Sequence, residues 1–208
     1  MSKLETNTID NISGSSTLTI GDSNASTISI PKNITLGASG TTITVPAGAT
    51  ITNNGTQTGF GGTNTPYFQA KMSANQTPSN NVTTKVNFNT EILDSNNAYD
   101  TSNYRFTPQV AGKYSIYANV FTSSNTPTNL VKSILSIYKN GSEFTRSDSY
   151  FSNSLIDSAY FNVQGIVDLN GSTDYVEIFV NIQTGTGNGM YIYRTDNRCI
   201  FEGYKLVE

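Results

Sequence analysis

The chain has 208 residues, a net charge of −3 and no histidine, and only 13% of its residues are charged. The acidic balance argues against a nucleic-acid partner and against adhesion to an anionic membrane surface, because either needs a cationic face. Cys199 is the single cysteine, so no internal disulfide forms, and neither a Cys/His zinc site nor a Ser-His-Asp triad can be built.

Asn, Thr, Ser and Gly together approach half of the chain. Such a surface stays hydrated through amides and hydroxyls and suits hydrogen bonding to neutral ligands such as sugars. Wholesale disorder is excluded by the 12 Tyr, the 10 Phe and the many Ile and Val in alternating patterns, which would otherwise lie exposed.

Residues 1–17 are polar and carry no apolar run of the signal-peptide kind. They are expected to be an attachment segment of a protein made in a cytosol. No stretch of the chain approaches the roughly 18 consecutive apolar residues of a membrane span, so no membrane insertion is expected.

Residues 18–62 contain an internal repeat. The run Thr27 to Leu36 aligns with Thr42 to Ile51 at an offset of fifteen residues. Ile28, Ile30, Ile34 and Leu36 alternate in one unit, and Ile43, Val45 and Ile51 follow in the next. Pro31 and Pro46 stand between the short strands, where no ladder N–H is needed. Units of this length cannot bury their own apolar row and must stack on neighbours. Three copies wound about one axis would supply those neighbours, and the units resemble the short repeats of viral fibre shafts. A flexible Ser/Thr-rich linker is the alternative. Residues 63–66, with Gly and Pro clustered around them, read as a hinge.

From Tyr67 to Glu208 the texture changes. Strands are expected over Phe68–Met72, Thr84–Phe88, Tyr104–Phe106, Gly112–Phe121, Val131–Lys139, Ala159–Leu169, Asp174–Gln183, Met190–Arg194 and Ile200–Val207. Asn140-Gly141 is a hairpin turn, because both residues tolerate positive φ. Short strands at this spacing, with no helical period, predict an all-β sandwich. Gly112 is expected to turn the chain tightly into its strand, and Gly203 to allow a close backbone approach. Phe106, Tyr114 and Phe201 read as core aromatics. Tyr191 and Tyr193 alternate and so share one face, which would line either an interface between copies or a glycan platform.

Phe88, Asp94, Tyr99, Phe106, Gly112 and Tyr114 fall at the spacings that open a C1q-like domain. Pro108 and Val110 fit the same run, whereas Ile116 and Ala118 stand where the family carries aromatics. Tyr138-Lys139-Asn140-Gly141 is similar to the family's Lys-Asn-Gly hairpin, and Phe201-Glu202-Gly203-Tyr204-Lys205-Leu206 to its closing strand. The region 67–208 thus resembles the C1q-like jelly rolls. The resemblance implies a ten-stranded jelly-roll knob, a homotrimer, structural roles for Phe88 and Tyr99, and ligand binding on outer loops. Calcium is allowed by the resemblance but compelled by no ligand spacing, so no cofactor is expected.

No catalytic constellation competes with this reading. Asp94, Asp100, Asp148, Asp157 and Asp168 sit in turn-like or flanking contexts rather than as a facing pair. Gly185 to Gly189 is glycine-rich, but no Gly-Lys-Ser/Thr follows. The expectation is a non-enzymatic bacteriophage virion protein. It would be a homotrimeric fibre or spike held to other virion proteins by its N-terminal segment, with a knob that recognises host surface polysaccharide or a receptor. The alternative is a capsid decoration or tail component that binds only other virion proteins.

Overall fold

The computed structural model describes residues 42, 44–45, 47–50, 52, 64–124, 129–151, 155–187, 189–194 and 199–207. The attachment segment lies outside them, as do the stalk positions Ile28, Ile30, Pro31, Ile34, Leu36, Ile43, Pro46 and Ile51. Val45 is described and exposed. The chain divides into two compact units, Met1–Thr56 and Gln57–Glu208, and every strand described belongs to the second.

Twelve strands and no helix occur among the described residues. In chain order they are β1 (Tyr67–Lys71), β2 (Thr84–Lys85), β3 (Thr90–Asp94), β4 (Tyr99–Asp100), β5 (Arg105–Phe106) and β6 (Ala111–Ser124). Then come β7 (Leu130–Lys139), β8 (Ser142–Tyr150), β9 (Ser158–Asn170), β10 (Val176–Thr184), β11 (Met190–Ile192) and β12 (Ile200–Lys205). One antiparallel sheet, sheet A, runs β9-β6-β12-β1-β3, with β11 beside the end of β6. The other, sheet B, runs β4-β5-β10-β7-β8, with β2 beside β10.

This order is that of a jelly roll. β7 pairs with β8 across a hairpin, β6 with β9, β5 with β10, and β1 with β12. A long antiparallel ribbon has been folded over, so that its outer pairs fall alternately in the two sheets. The tip is Asn140-Gly141, with φ of 52° and 77°, as a two-residue hairpin turn with positive φ at both positions requires.

Where the resemblance implies ten strands, twelve are described: eight principal strands, with β2, β3, β4 and β11 added. β2 stops short of the expected Phe88. The N–H of Phe88 donates to the Val86 carbonyl and that of Asn89 to Asn87, and these tight turns end the ladder while Val86 and Phe88 go into the core. Tyr104 precedes β5 with φ of 54° and so stands outside the expected strand.

The core is inward-facing alternation from both sheets. In β6, Tyr114, Ile116, Ala118 and Val120 are fully buried, and in β10 Val176, Ile178, Val180 and Ile182. Each such side chain contributes about 1.5–3 kcal/mol of burial if large. Ile116 and Ala118 occupy inward positions, so the two departures from the family pattern change how the core is filled and not where the strand lies. At one end of the core Phe68 stacks on Phe106 at 4.2 Å and on Tyr99 at 5.1 Å, and meets Phe201 edge-on at 4.8 Å.

The strand directions define two ends. At one end lie the start of β1, the end of β12, the Asn140-Gly141 turn and the β9–β10 turn; the Lys205 N–H there donates to the Pro66 carbonyl at 3.0 Å. The ends of β1, β6, β8 and β10 lie at the opposite end. Pro66 and these strand ends are therefore separated by the length of the sandwich.

Candidate functional site

The residues of the sequence pattern converge, and their roles follow from contacts. The Tyr99 Oη donates to the Phe88 carbonyl at 2.7 Å, and the Tyr99 N–H donates to Asp94 Oδ2 at 2.8 Å. Asp94 Oδ1 accepts from the Asn96 N–H at 3.2 Å. Phe106 meets Tyr114 edge-on at 5.6 Å, and Phe88 lies 5.7 Å from Phe201. Burial pushes the Tyr99 phenol far above its usual range, with Asp100 and Tyr104 adding to it. Burial raises Tyr114 to about 12. These groups hold a fold.

Gly112 enters β6 with φ of +146° beside the Lys205 side chain. Gly203 is crowded: a Cβ there would lie 2.6 Å from Ile116 Cδ1 and 2.9 Å from the Ser115 carbonyl oxygen. Gly171, which sequence reasoning missed, is tighter still, because a Cβ would lie 2.2 Å from the Ala111 backbone nitrogen.

Of the acids considered for catalysis, Asp94, Asp100 and Asp148 have carboxylates held in local contacts. Asp100 Oδ1 accepts from the N–H groups of Ser102 and Asn103, and its Oδ2 accepts from Asn103 Nδ2. The Asn103 bonds hold its carboxyl below the usual range. Asp148 pairs with Arg146 at 3.1 Å. The carbonyls of Asp157 and Asp168 accept from the Ser124 N–H and from Lys139 Nζ. Among the described residues no group of three or more His, Cys, Asp or Glu side chains is placed to hold a metal ion. No described helix is long and apolar enough to cross a membrane.

The outer face of sheet A is aromatic at both ends. Register places Tyr67, Tyr204, Ser115 and Ile166 in one row across four strands. Tyr67, Tyr204 and Ile166 are exposed, Ile166 at 61%, and so is Leu93 on β3. At the other end Tyr191 and Tyr193 stand opposite Ser123 and Phe121 on one face. The Tyr191 and Tyr193 rings are 5.6 Å apart, Phe121 is 6.1 Å from Tyr193, and Tyr160 is 4.7 Å from Phe121. Cys199 ties this corner together: its Sγ donates to the Tyr193 carbonyl at 3.0 Å and accepts from the Phe121 N–H at 3.2 Å. Burial pushes its thiol up. The alternation of Tyr191 and Tyr193 was legible in sequence, whereas their junction with Phe121 and Tyr160 arises only through strand register. Between the two aromatic ends lie Tyr117, Glu202, which accepts from Gln69 Nε2, and amides including Asn119, whose Oδ1 is buried without a hydrogen-bond partner.

The outer face of sheet B has a different chemistry. Tyr138 and Phe179 lie 4.2 Å apart at its middle. Lys85 pairs with the buried Glu177 and lies 5.7 Å from the Phe179 ring centroid. Glu143 accepts from Ser136 Oγ at 3.0 Å and pairs with Arg146 at 3.5 Å. Arg105 stands 4.8 Å over the Tyr175 ring.

The loops at the end away from chain entry are fastened by side-chain amides. Gln76 Oε1 accepts from the Asn87 N–H and its Nε2 donates to the Lys85 carbonyl. Asn80 Oδ1 accepts from the Thr184 N–H at 2.9 Å. Asn129 donates through Nδ2 to Thr186 Oγ1 at 2.8 Å, and Asn75 accepts from the Arg194 N–H. Here the unusual asparagine content does structural service: it anchors long loops without charge.

No family model matches this chain. No curated protein matches it. Among solved structures it is similar to the globular domain of zebrafish complement 1qA protein, at 17% identity and a TM-score of 0.47, over 68% of this chain and 97% of that one.

Proposed function

We propose that residues 67–208 are a C1q-like knob that assembles as a homotrimer and recognises a host surface from a bacteriophage particle, without catalysis. The observation that carries the reading is the division of labour over one sandwich. An aromatic face lies on sheet A, chain entry lies at one end, and the amide-fastened loops lie at the other.

Assembly draws support from the sheet A face. Tyrosines and apolar side chains are enriched in association surfaces, and this face carries Tyr67, Tyr204 and Ile166 at one end and Tyr191 and Tyr160 at the other. A neighbouring copy would also supply a donor for Asn119 Oδ1. The virion reading draws support from the Thr/Ile/Pro repeats at 27–36 and 42–51 ahead of the knob, because such units need copies wound together. Threefold display would turn weak contacts into avidity.

The full-length chain at micromolar concentration is expected to sediment at three times its 22.5 kDa mass, and labelled trimer to decorate host cells. A monomer at that concentration overturns the assembly. A trimer that ignores host cells but incorporates into particles favours the decoration alternative.

A further inference from the structure

The same tripeptide occurs in two turns at one end of the sandwich. Asn140-Gly141-Ser142 joins β7 to β8, and Asn170-Gly171-Ser172 opens the turn between β9 and β10. An asparagine before glycine is the setting in which a backbone nitrogen reaches the side-chain amide most readily, because glycine has no side chain to obstruct the approach. Both asparagines are exposed, so local sequence and access to water do not distinguish them. The surroundings of the two carboxamides do. Asn140 Oδ1 accepts from the Tyr175 N–H at 3.0 Å, and its Nδ2 donates to Asp174 Oδ1 at 2.8 Å. Both ends of that amide are tied to residues distant in sequence. The Asn170 carboxamide instead folds over its own turn. Its Oδ1 accepts from the backbone N–H groups of Ser172, Thr173 and Asp174, each at 3.0 Å, and from Ser172 Oγ at 3.2 Å. Its Nδ2 donates to Thr173 Oγ1 at 2.9 Å. The ring of atoms closed by the Ser172 N–H bond contains both the Gly171 nitrogen and the amide carbon, and so holds them within one small loop.

We propose that Asn170 is a site of spontaneous deamidation, selected over Asn140 by the turn that surrounds it. The Gly171 nitrogen bonds to the side-chain carbonyl carbon of Asn170. Its proton ends on Nδ2, which leaves as ammonia, and water then opens the cyclic imide at either carbonyl to give aspartate or isoaspartate. During the attack negative charge gathers on Oδ1. The three N–H groups that converge there form an anion-binding nest. Donors set in advance stabilise a developing oxyanion more than they stabilise the neutral amide, and so lower the barrier. No such nest surrounds Asn140 Oδ1, which has the single Tyr175 donor. The isoaspartate product lengthens the main chain by a methylene where Gly171 lies so close to Val110 and Ala111 that a methyl group has no room. The reaction therefore loosens the turn that carries Asp174, the partner of Asn140. The inference concerns the knob alone and holds whatever the knob binds.

The test stores the full-length protein in mildly alkaline buffer, one portion folded and one unfolded in guanidinium chloride. Peptide mapping by mass spectrometry follows both sites, and enzymatic methylation reads the isoaspartate. In the unfolded portion the shared tripeptide is expected to convert at similar rates at both positions. In the folded portion Asn170 is expected to convert tenfold or more faster than Asn140, to a mixture of isoaspartate and aspartate. Circular dichroism checks that this portion stays folded. Equal rates in the folded protein, faster conversion of Asn140, or an Asn170 that stays intact while the unfolded chain converts overturns the proposal. A preference for Asn170 that is equally large in guanidinium assigns it to sequence alone and overturns the role of the turn.

Discussion

The phenol of Tyr99 donates to the backbone carbonyl of Phe88 at 2.7 Å, inside the core and eleven residues away in sequence. The bond joins β4 to the segment after β2, where the turns at Val86 and Asn87 have ended the ladder. It gives a buried carbonyl the partner that the sheet does not.

Tyr99→Phe is therefore expected to cost about 1–3 kcal/mol, because the carbonyl is left buried and unsatisfied while the ring is kept. Urea unfolding measures it. The phenols of Tyr99 and Tyr114 also set an alkaline limit. Both have pKa values raised above the ordinary 10.0 by burial, so the folded state holds these protons more tightly than the unfolded one. Their contribution is complete below pH 10 and is lost as pH rises, for Tyr114 between 10.0 and about 12. Stability is expected to fall above pH 10, and to fall less steeply in Tyr114→Phe.

Three glycines are expected to rank by what a methyl group would strike. Gly171→Ala meets the backbone of Val110 and Ala111 at 2.5 Å and 2.2 Å, which no rotamer relieves, and a soluble folded product is not expected. Gly203→Ala strikes Ile116 Cδ1 and the Ser115 carbonyl oxygen and is expected to cost about 1–3 kcal/mol or somewhat more, as overpacking does. Gly112→Ala faces the flexible end of Lys205, so its cost is backbone strain of about 1–3 kcal/mol; Gly112→Val adds branching to that strain. Thermal melts of the three alanine variants check the order.

An acid limit is expected from Asp174. Its carboxylate accepts from Asn140 Nδ2 at 2.8 Å and from the Asn170 N–H at 3.1 Å, and pairs with Lys139 at 3.0 Å. These bonds hold its pKa below the ordinary 3.8, those from Asn140 and Lys139 foremost. Its contribution is complete above 3.8 and is lost as pH falls through the lowered value. Asp174→Asn is expected to melt lower at pH 7 and to lose less on acidification to pH 3 than the unaltered protein. A parallel shift at both pH values would contradict the clasp.

Ile166 tests the proposed assembly face, since it is 61% exposed and lies in a row with Tyr67 and Tyr204. Ile166→Glu is expected to leave the circular dichroism unchanged while lowering the sedimenting mass from three copies to one. Retention of the trimer would move the interface elsewhere.

Much of the sandwich could be read from alternation alone. Tyr114, Ile116, Ala118 and Val120 keep a period of two along β6, and Asn140-Gly141 announces its own hairpin. β8 escaped notice because Ser142–Tyr150 is an edge strand, largely exposed on both sides, and so carries no apolar row. β3 is exposed at three successive positions and so shows no alternation, and β4 has only two residues. Gly171 and the amides of Gln76, Asn80 and Asn129 act on backbone distant in sequence, and no local pattern marks them. Phe179 and Tyr138 were visible as strand residues, but their pairing depends on the register between β10 and β7. Tyr191 and Tyr193 were seen to share a side; what completes that corner comes from β6 and β9.

The bond between Lys205 and Pro66 has a practical corollary. A reporter fused behind Val207 would emerge beside Pro66, at the end of the sandwich away from the turn after β10. A dye meant to test the proposed host contact belongs instead at that other end, for example on a cysteine placed at the exposed Ala74 after β1, clear of the amide fastenings, where burial of the probe on adhesion would register as a change in emission.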